Sequence, residues 1–294
     1  MKNKLSDWIN HSVKRELYGN AARGKAVVLL TTLYSQLLET VKKTRFIPTK
    51  KKYLELLSEI KILLTEYKTD YNTLLSAEID NIADIESEYV SSFMKELGKD
   101  IIVPATILTS LKFSPVASQT NYKMLIESSV DRIERNAEVV LRNSMMTGNQ
   151  IDTEAIERNI KTETNNVTGD VETFNTTAFT VTDYLIFKKN KEKIVYSAIL
   201  DNKTCLVCGS YDGKEFELKD APIPPLHQNC KCILIPVSAI DNELPTFTKW
   251  FEEQSEDSKY QILGKGRYEL YKQGLPMDKF INNGNIIPLR ELKV

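Results

Sequence analysis

Five side chains able to bind a soft metal lie within 28 positions of this 294-residue chain: Cys205, Cys208, His227, Cys230 and Cys232. They include all four cysteines and one of the two histidines. The pattern is C-x2-C, then eighteen residues (209–226), then H-x2-C-x-C. A tetrahedral zinc takes four S or N donors at about 2.0–2.3 Å. The C-x2-C half offers two thiolates from one tight turn, with Gly209 following where the turn must relax. The second half arrives on another segment. A strand over 230–235 (CKCILI) puts Cys230 and Cys232 on one face, so both reach one ion. Five candidates then compete for four places, and the spacing does not say which is spare.

Disulfides are the competing use of the same cysteines. The N-terminal MKNKLSDWINHSVKRE lacks the apolar stretch of a secretory signal, so the expected compartment is a reducing cytosol, where such spacing favours metal. A four-donor shell with no open position is structural rather than catalytic. Enzyme readings are weaker. Zinc deaminases place H-x-E ahead of P-C-x-x-C, whereas here the order is reversed and Gln228-Asn229 follow the histidine. No glutamate stands as proton carrier, and a zinc-bound thiolate is not free to attack. No catalytic residue is assigned, and a zinc-dependent hydrolase is the least favoured alternative.

At this stretch the chain resembles the phage head morphogenesis family, the relatives of phage Mu's F protein. The resemblance rests on Asp201, Thr204-Cys205-x-x-Cys208, Asp212-Gly213, Pro225, His227-x-Asn229-Cys230-x-Cys232 and Pro236. Gln228 departs from the family's usual proline and Lys231 from its usual arginine. A second block, FTKWFEEQSEDSKYQILGKGRYELYKQG (247–274), is similar to the tail of many members. The resemblance implies a minor head protein of a tailed phage with no chemistry of its own. Implied partners are the portal protein, scaffold or major capsid protein, and phage DNA. It also implies a place in the virion head after assembly in the host cytoplasm, and a helix leading into the knuckle over 152–187. A zinc-stabilised nucleic-acid-binding module is the alternative.

Composition bounds these readings. Lys+Arg 39 against Asp+Glu 40 gives a net charge of −1, so any nucleic-acid contact must come from a local patch. The best patch is KKTRFIPTKKKY (42–53), with Lys42, Lys43, Arg45, Lys50, Lys51 and Lys52 around Pro48. Lysines there would neutralise phosphates whatever the base sequence; the commoner role of such a run is a solvated turn. The longest apolar run, Ala26 to Leu30, is far short of the ~20 residues that span a bilayer, so no membrane partner is expected.

The positioning elements follow from periodicity. Leu5, Trp8, Ile9, Ser12 and Val13, then Val27 to Val41, predict amphipathic helix over 3–41, with Gly19 and Gly24 as a bend or join. His11 stands alone on a polar stretch and reads as a surface residue. A pattern from Tyr53 to about Leu97 predicts one long helix or a softly broken hairpin. Pro115 punctuates a shorter segment. Residues 119–147 read as a helix stopped by Gly148. The Thr- and Asn-rich 152–187 has weak helix propensity, so packing must hold it. Arg158, Glu163 and Asn165 lie there, with no base or nucleophile beside them at a recognisable spacing. A strand over 194–199, a hairpin turn at Asp212-Gly213, a short strand at 214–216 and a strand over 232–237 make a small sheet. Two helices, 246–254 and 257–273, close the chain. The L-G-K-G-R of 263–267 lacks the G-x4-G-K-[ST] of a phosphate loop.

The expected fold is therefore mainly α with a small α+β C-terminal domain: long N-terminal helices, a Cys/His-knuckle β-sheet lobe and a helical tail. The expected bounds are 1–150 for the helical arm or bundle, 151–244 for the knuckle domain and 245–294 for the tail packed on it. So small a sheet is marginal alone, and a structural zinc would supply the missing stability.

Overall fold

The computed structural model describes residues 4–113, 121–282 and 284–293. Five helices come first: α1 (Lys4–Thr44), α2 (Lys50–Glu96), α3 (Ile107–Phe113), α4 (Tyr122–Thr147) and α5 (Thr153–Lys189). Then follow β1 (Lys193–Ser197), α6 (Leu206–Tyr211), β2 (Glu215–Glu217), β3 (Ile233–Pro236), α7 (Phe247–Glu252) and α8 (Glu256–Lys272). A two-stranded ribbon of β4 (Ile281–Asn282) and β5 (Asn285–Ile286) lies near the end. The expected class, mainly α with a small β part, is what the chain adopts. The Pro115 signal and the first residues of the 119–147 helix lie outside the described residues.

Two compact units interleave along the sequence. The helical unit comprises Lys14–Ile85 and Thr106–Phe179; the Cys/His unit comprises Met1–Val13, Glu86–Ala105 and Thr180–Val294.

In the helical unit, α1 buries Ala22, Ala26, Leu30, Leu33, Leu37 and Val41, three or four residues apart on one face. From α2 it is Leu56, Ile60, Leu64, Leu75 and Ile79, and from α4 Ile126, Ile133 and Leu141. Gly19 and Gly24 do not break α1, which runs unbroken through both. Gly148 ends α4 as expected, at φ 68 with its N–H on Ser144 O. In α5, Val167, Val171 and Phe174 are buried, and Thr173 and Thr177 donate their hydroxyls to the carbonyls of Gly169 and Thr173. Back-bonding of this kind satisfies a threonine inside a buried helix, so packing outweighs the weak propensity. Arg158 pairs with Asp152 and Glu154 at the start of α5. Glu163 instead lies buried against Arg132 at 2.7 Å.

In the Cys/His unit, β1 is central, with antiparallel β2 and β3 on either side. Trp8 is fully buried against Phe93 and Phe187, and its Nε1–H donates to Leu234 O of β3 at 3.1 Å. This corrects two readings of the first turns of α1. Ile9 and Val13 are exposed, whereas His11 is buried. His11 shares the face of Leu5 and Trp8 because it follows Trp8 by three residues. Its Nε2 lies 2.8 Å from Glu86 Oε2, and its ring stacks on Tyr89 at 3.3 Å. A polar partner makes that burial tolerable.

Two strand readings also change. The strand at the second half of the cysteine motif begins at Ile233, one residue past Cys232. Asp212-Gly213 is no two-residue hairpin: it turns the chain from α6 into β2, with Gly213 N–H on Tyr196 O. The tail packs a cluster of Phe247, Phe251, Leu263, Leu275, Met277 and Phe280 around Leu206 of α6, with Trp250, Tyr268 and Leu270 against it. The glycine-rich 263–267 lies in α8 at a kink where Gly264 has φ 70; Arg267 Nη2 there donates to Ile287 O.

Candidate metal centre

The first half of the cysteine motif is a cap. Cys205 precedes α6 in extended geometry, and its sulfur accepts the backbone N–H of Cys208 at 3.4 Å. That turn returns Cys208 beside Cys205. Gly209 has another role than the expected relaxation of the turn, for it lies within α6. A Cβ there would stand 2.2 Å from Phe247 Cδ1. The glycine is needed for space, so that an aromatic ring of the tail can lie against the knuckle helix.

The second half is a turn with no strand geometry. Cys230 N–H donates to His227 O at 3.2 Å, and Asn229 within the turn has φ 59, a left-handed conformation asparagine tolerates better than most residues. The shared-face argument for Cys230 and Cys232 therefore does not apply, yet the turn brings both sulfurs to the first knuckle. His227 Nδ1–H donates to Gln228 O at 2.8 Å, which fixes the ring and directs Nε2 at both Cys205 and Cys208, 3.3 Å from each sulfur. Cys208 Sγ lies 3.9 Å from Cys230 Sγ.

All five candidates are thus brought together as two triads, Cys205–Cys208–His227 and Cys208–Cys230–Cys232, each with donor atoms within 4.8 Å of one another. Cys208 belongs to both. Bond lengths near 2.3 Å for sulfur and 2.0–2.1 Å for nitrogen give tetrahedral edges of roughly 3.6–3.8 Å, the scale of the observed 3.3–3.9 Å separations. The four cysteines are free thiols and three of them are buried.

The electrostatics favour thiolates at Cys205 and Cys230 and push the thiols of Cys208 and Cys232 up. Hydrogen bonding from Cys208 holds Cys205 down at about 4, against the desolvation of burial. Cys208 and Cys232 together hold Cys230 at about 2, and Cys208 itself is pushed up as the sulfur that keeps the proton. His227 rises to about 9, chiefly through its bond to Cys205. Thiolates beside an imidazole are a donor set that suits zinc, which would displace the remaining protons on binding.

Two supporting residues escape a reading of the sequence. Tyr196 of β1 is buried, and its hydroxyl donates to Cys208 Sγ at 3.5 Å. Asp212 accepts from the N–H groups of Ala198 at 2.6 Å and Phe247 at 2.7 Å, and burial raises its carboxyl above the ordinary value. One carboxylate thus ties the end of β1 to the start of α7. Neither role has a local signature, because each depends on segments far apart in sequence.

Residues 135–235, about a third of the chain, match the family model described as Phage Mu protein F like protein. The chain carries a Phage Mu F-like region. The match agrees over this region with the resemblance read from the sequence; it runs from α4 to β3 and contains all five metal-ligand candidates. The tail block 247–274 lies beyond it. No curated protein matches the chain, and no solved structure does. Among the described residues no helix is long and apolar enough to cross a membrane.

The basic stretch lies apart from these residues in sequence: Lys42 and Lys43 end α1, Arg45 lies in the turn, and Lys50, Lys51 and Lys52 open α2. Lys42 pairs with Glu157, Lys43 with Glu39 and Lys52 with Glu55. Among the described residues Arg45, Lys50 and Lys51 have no ion-pair partner.

Proposed function

We propose that this chain is a minor head protein of a tailed phage that acts without catalysis, its Cys/His unit locked by one structural zinc ion. The observation that supports this most is the gathering of five thiol and imidazole donors inside the Mu F-like region. Its four donors would come from among Cys205, Cys208, His227, Cys230 and Cys232; the bound ion would cross-link the α6 turn to the 227–232 turn. A cross-link of that kind contributes directly to folding free energy.

The chain would join the portal vertex during head assembly and stay with the virion, with scaffold or major capsid protein as further contacts. Co-expression with the portal protein of the same phage tests this. The expected result is a chain that co-purifies with the portal ring through size exclusion at physiological salt; a ring that elutes free of the chain contradicts it.

A second role, contact with phage DNA, draws on the three unpaired cations of the basic stretch, Arg45, Lys50 and Lys51. Lys42, Lys43 and Lys52 would join them by exchanging exposed carboxylate partners for phosphate. Such contacts give a log–log salt slope of about −0.9 per phosphate on duplex DNA. Retention on DNA that ignores salt would remove this role.

A further inference from the structure

The metal reading leaves one of five donors unused, and the two turns differ in which donors they can deliver. In each turn a donor three residues ahead of its partner is closed by a single hydrogen bond: Cys208 N–H to Cys205 Sγ at 3.4 Å, Cys230 N–H to His227 O at 3.2 Å. Between the turns, His227 Nε2 meets both sulfurs of the first at 3.3 Å, and Cys230 Sγ meets Cys208 Sγ at 3.9 Å. Cys232 stands differently. The next residue, Ile233, is already paired with Ser197 in the sheet, so its backbone is tethered where that of Cys230 belongs to a turn. Its sulfur is buried and shares one triad with Cys208 and Cys230, so it is the backbone tether that sets it apart from Cys230.

We propose that Cys205, Cys208, His227 and Cys230 are the ligand quartet, that Cys232 is a buried reserve thiol able to replace Cys230, and that Tyr196 positions Cys208. This rests on the proposed metal site. Cys208 is the pivot because it is shared by both triads, and the Tyr196 hydroxyl at its sulfur fixes the one donor common to either arrangement. Substitutions in such a supporting shell typically weaken metal affinity by about 10–100-fold.

The test loads the full-length chain with cobalt(II) and counts sulfur and nitrogen donors by X-ray absorption. Titration of the sulfur-to-cobalt absorption band gives affinity, and helix content by circular dichroism confirms folding. The wild type should show three sulfurs and one nitrogen. Cys232→Ser should leave the donor count and affinity unchanged. Cys230→Ser should still bind, on the order of tenfold more weakly, with three sulfurs restored by Cys232; the double variant Cys230→Ser/Cys232→Ser should drop to two sulfurs or release the ion. Tyr196→Phe should keep the donor count and weaken binding by about tenfold. Four sulfurs in the wild type, or a sulfur lost in Cys232→Ser, overturns the quartet. Full affinity in Tyr196→Phe overturns the positioning role. A wild-type chain that takes up no cobalt overturns the metal site itself, a result distinct from either.

Discussion

In the helical unit, Arg132 of α4 reaches Glu163 of α5 through Nε and Nη2 at 2.7–3.1 Å, and Ser129 and Asn166 supply further bonds to the same carboxylate. Asp170 takes a second Arg132 contact at 3.3 Å. In the Cys/His unit, three thiols and an imidazole crowd around Cys208 beside a three-stranded sheet. Both are polar clusters within apolar surroundings. The first is closed, with every Glu163 oxygen bonded to partners the chain supplies. The second concentrates four thiols with one imidazole, the lone basic group among its five donors, and thiolates placed so close repel one another. A protein cluster complete in itself reads as structure; one that calls for a cation reads as a ligand site.

Four substitutions break or sharpen this contrast. The largest effect is expected from Cys208→Ser, which removes the sulfur common to both triads. Structural zinc contributes apparent binding energies of about 10–16 kcal/mol in small metal-dependent domains, so the variant should lose the cooperative melting of the Cys/His unit. Calorimetry in the presence of zinc checks this; an unchanged transition would place the ion, or the stability, elsewhere. Next comes Glu163→Ala, which leaves the half-buried Arg132 only Asp170 and Ser128 as partners and should cost about 2 kcal/mol in denaturant unfolding, with no change in metal content. A loss of metal there would erase the distinction between the clusters.

Gly209→Ala is expected to cost about 2–3 kcal/mol by overpacking, because the added methyl meets the Phe247 ring. A variant as stable as the wild type would show that the tail is not seated on α6. The smallest effect concerns Asp170, whose carboxyl is raised above 3.8 by burial, with Arg132 acting against the shift. A raised folded value means that the folded state holds the proton more tightly. Its contribution is present below 3.8 and is lost as pH rises through the folded value. Stability of Asp170→Asn should therefore fall less than wild type as pH rises from 3.8; parallel curves would contradict the burial argument.

How much of this was legible in the sequence depends on the range of the interaction. The long helices announce themselves in their apolar spacing, and Gly148 marks a stop because its conformation is local. The five metal-ligand candidates are legible because C-x2-C and H-x2-C are local turns. His11 is misread as surface: neighbours in sequence suggest a polar stretch, while Trp8 three residues earlier shares its buried face and Glu86 waits 75 residues away. Asp212 looks like a hairpin residue, and its partners, Ala198 and Phe247, lie 14 and 35 residues off. Gly209 looks like a turn glycine for the same reason. Division at 150 and 244 follows composition along the chain, whereas the compact units follow contacts and interleave.

The central claim, that the sulfur-rich cluster holds one metal ion which locks its unit, is tested most directly by native mass spectrometry of the purified chain. The account predicts a folded species heavier than the bare chain by one zinc, shifting to the bare mass and a broadened, more highly charged envelope once a chelator strips the ion. A compact species at the bare mass, unchanged by chelator, would contradict it.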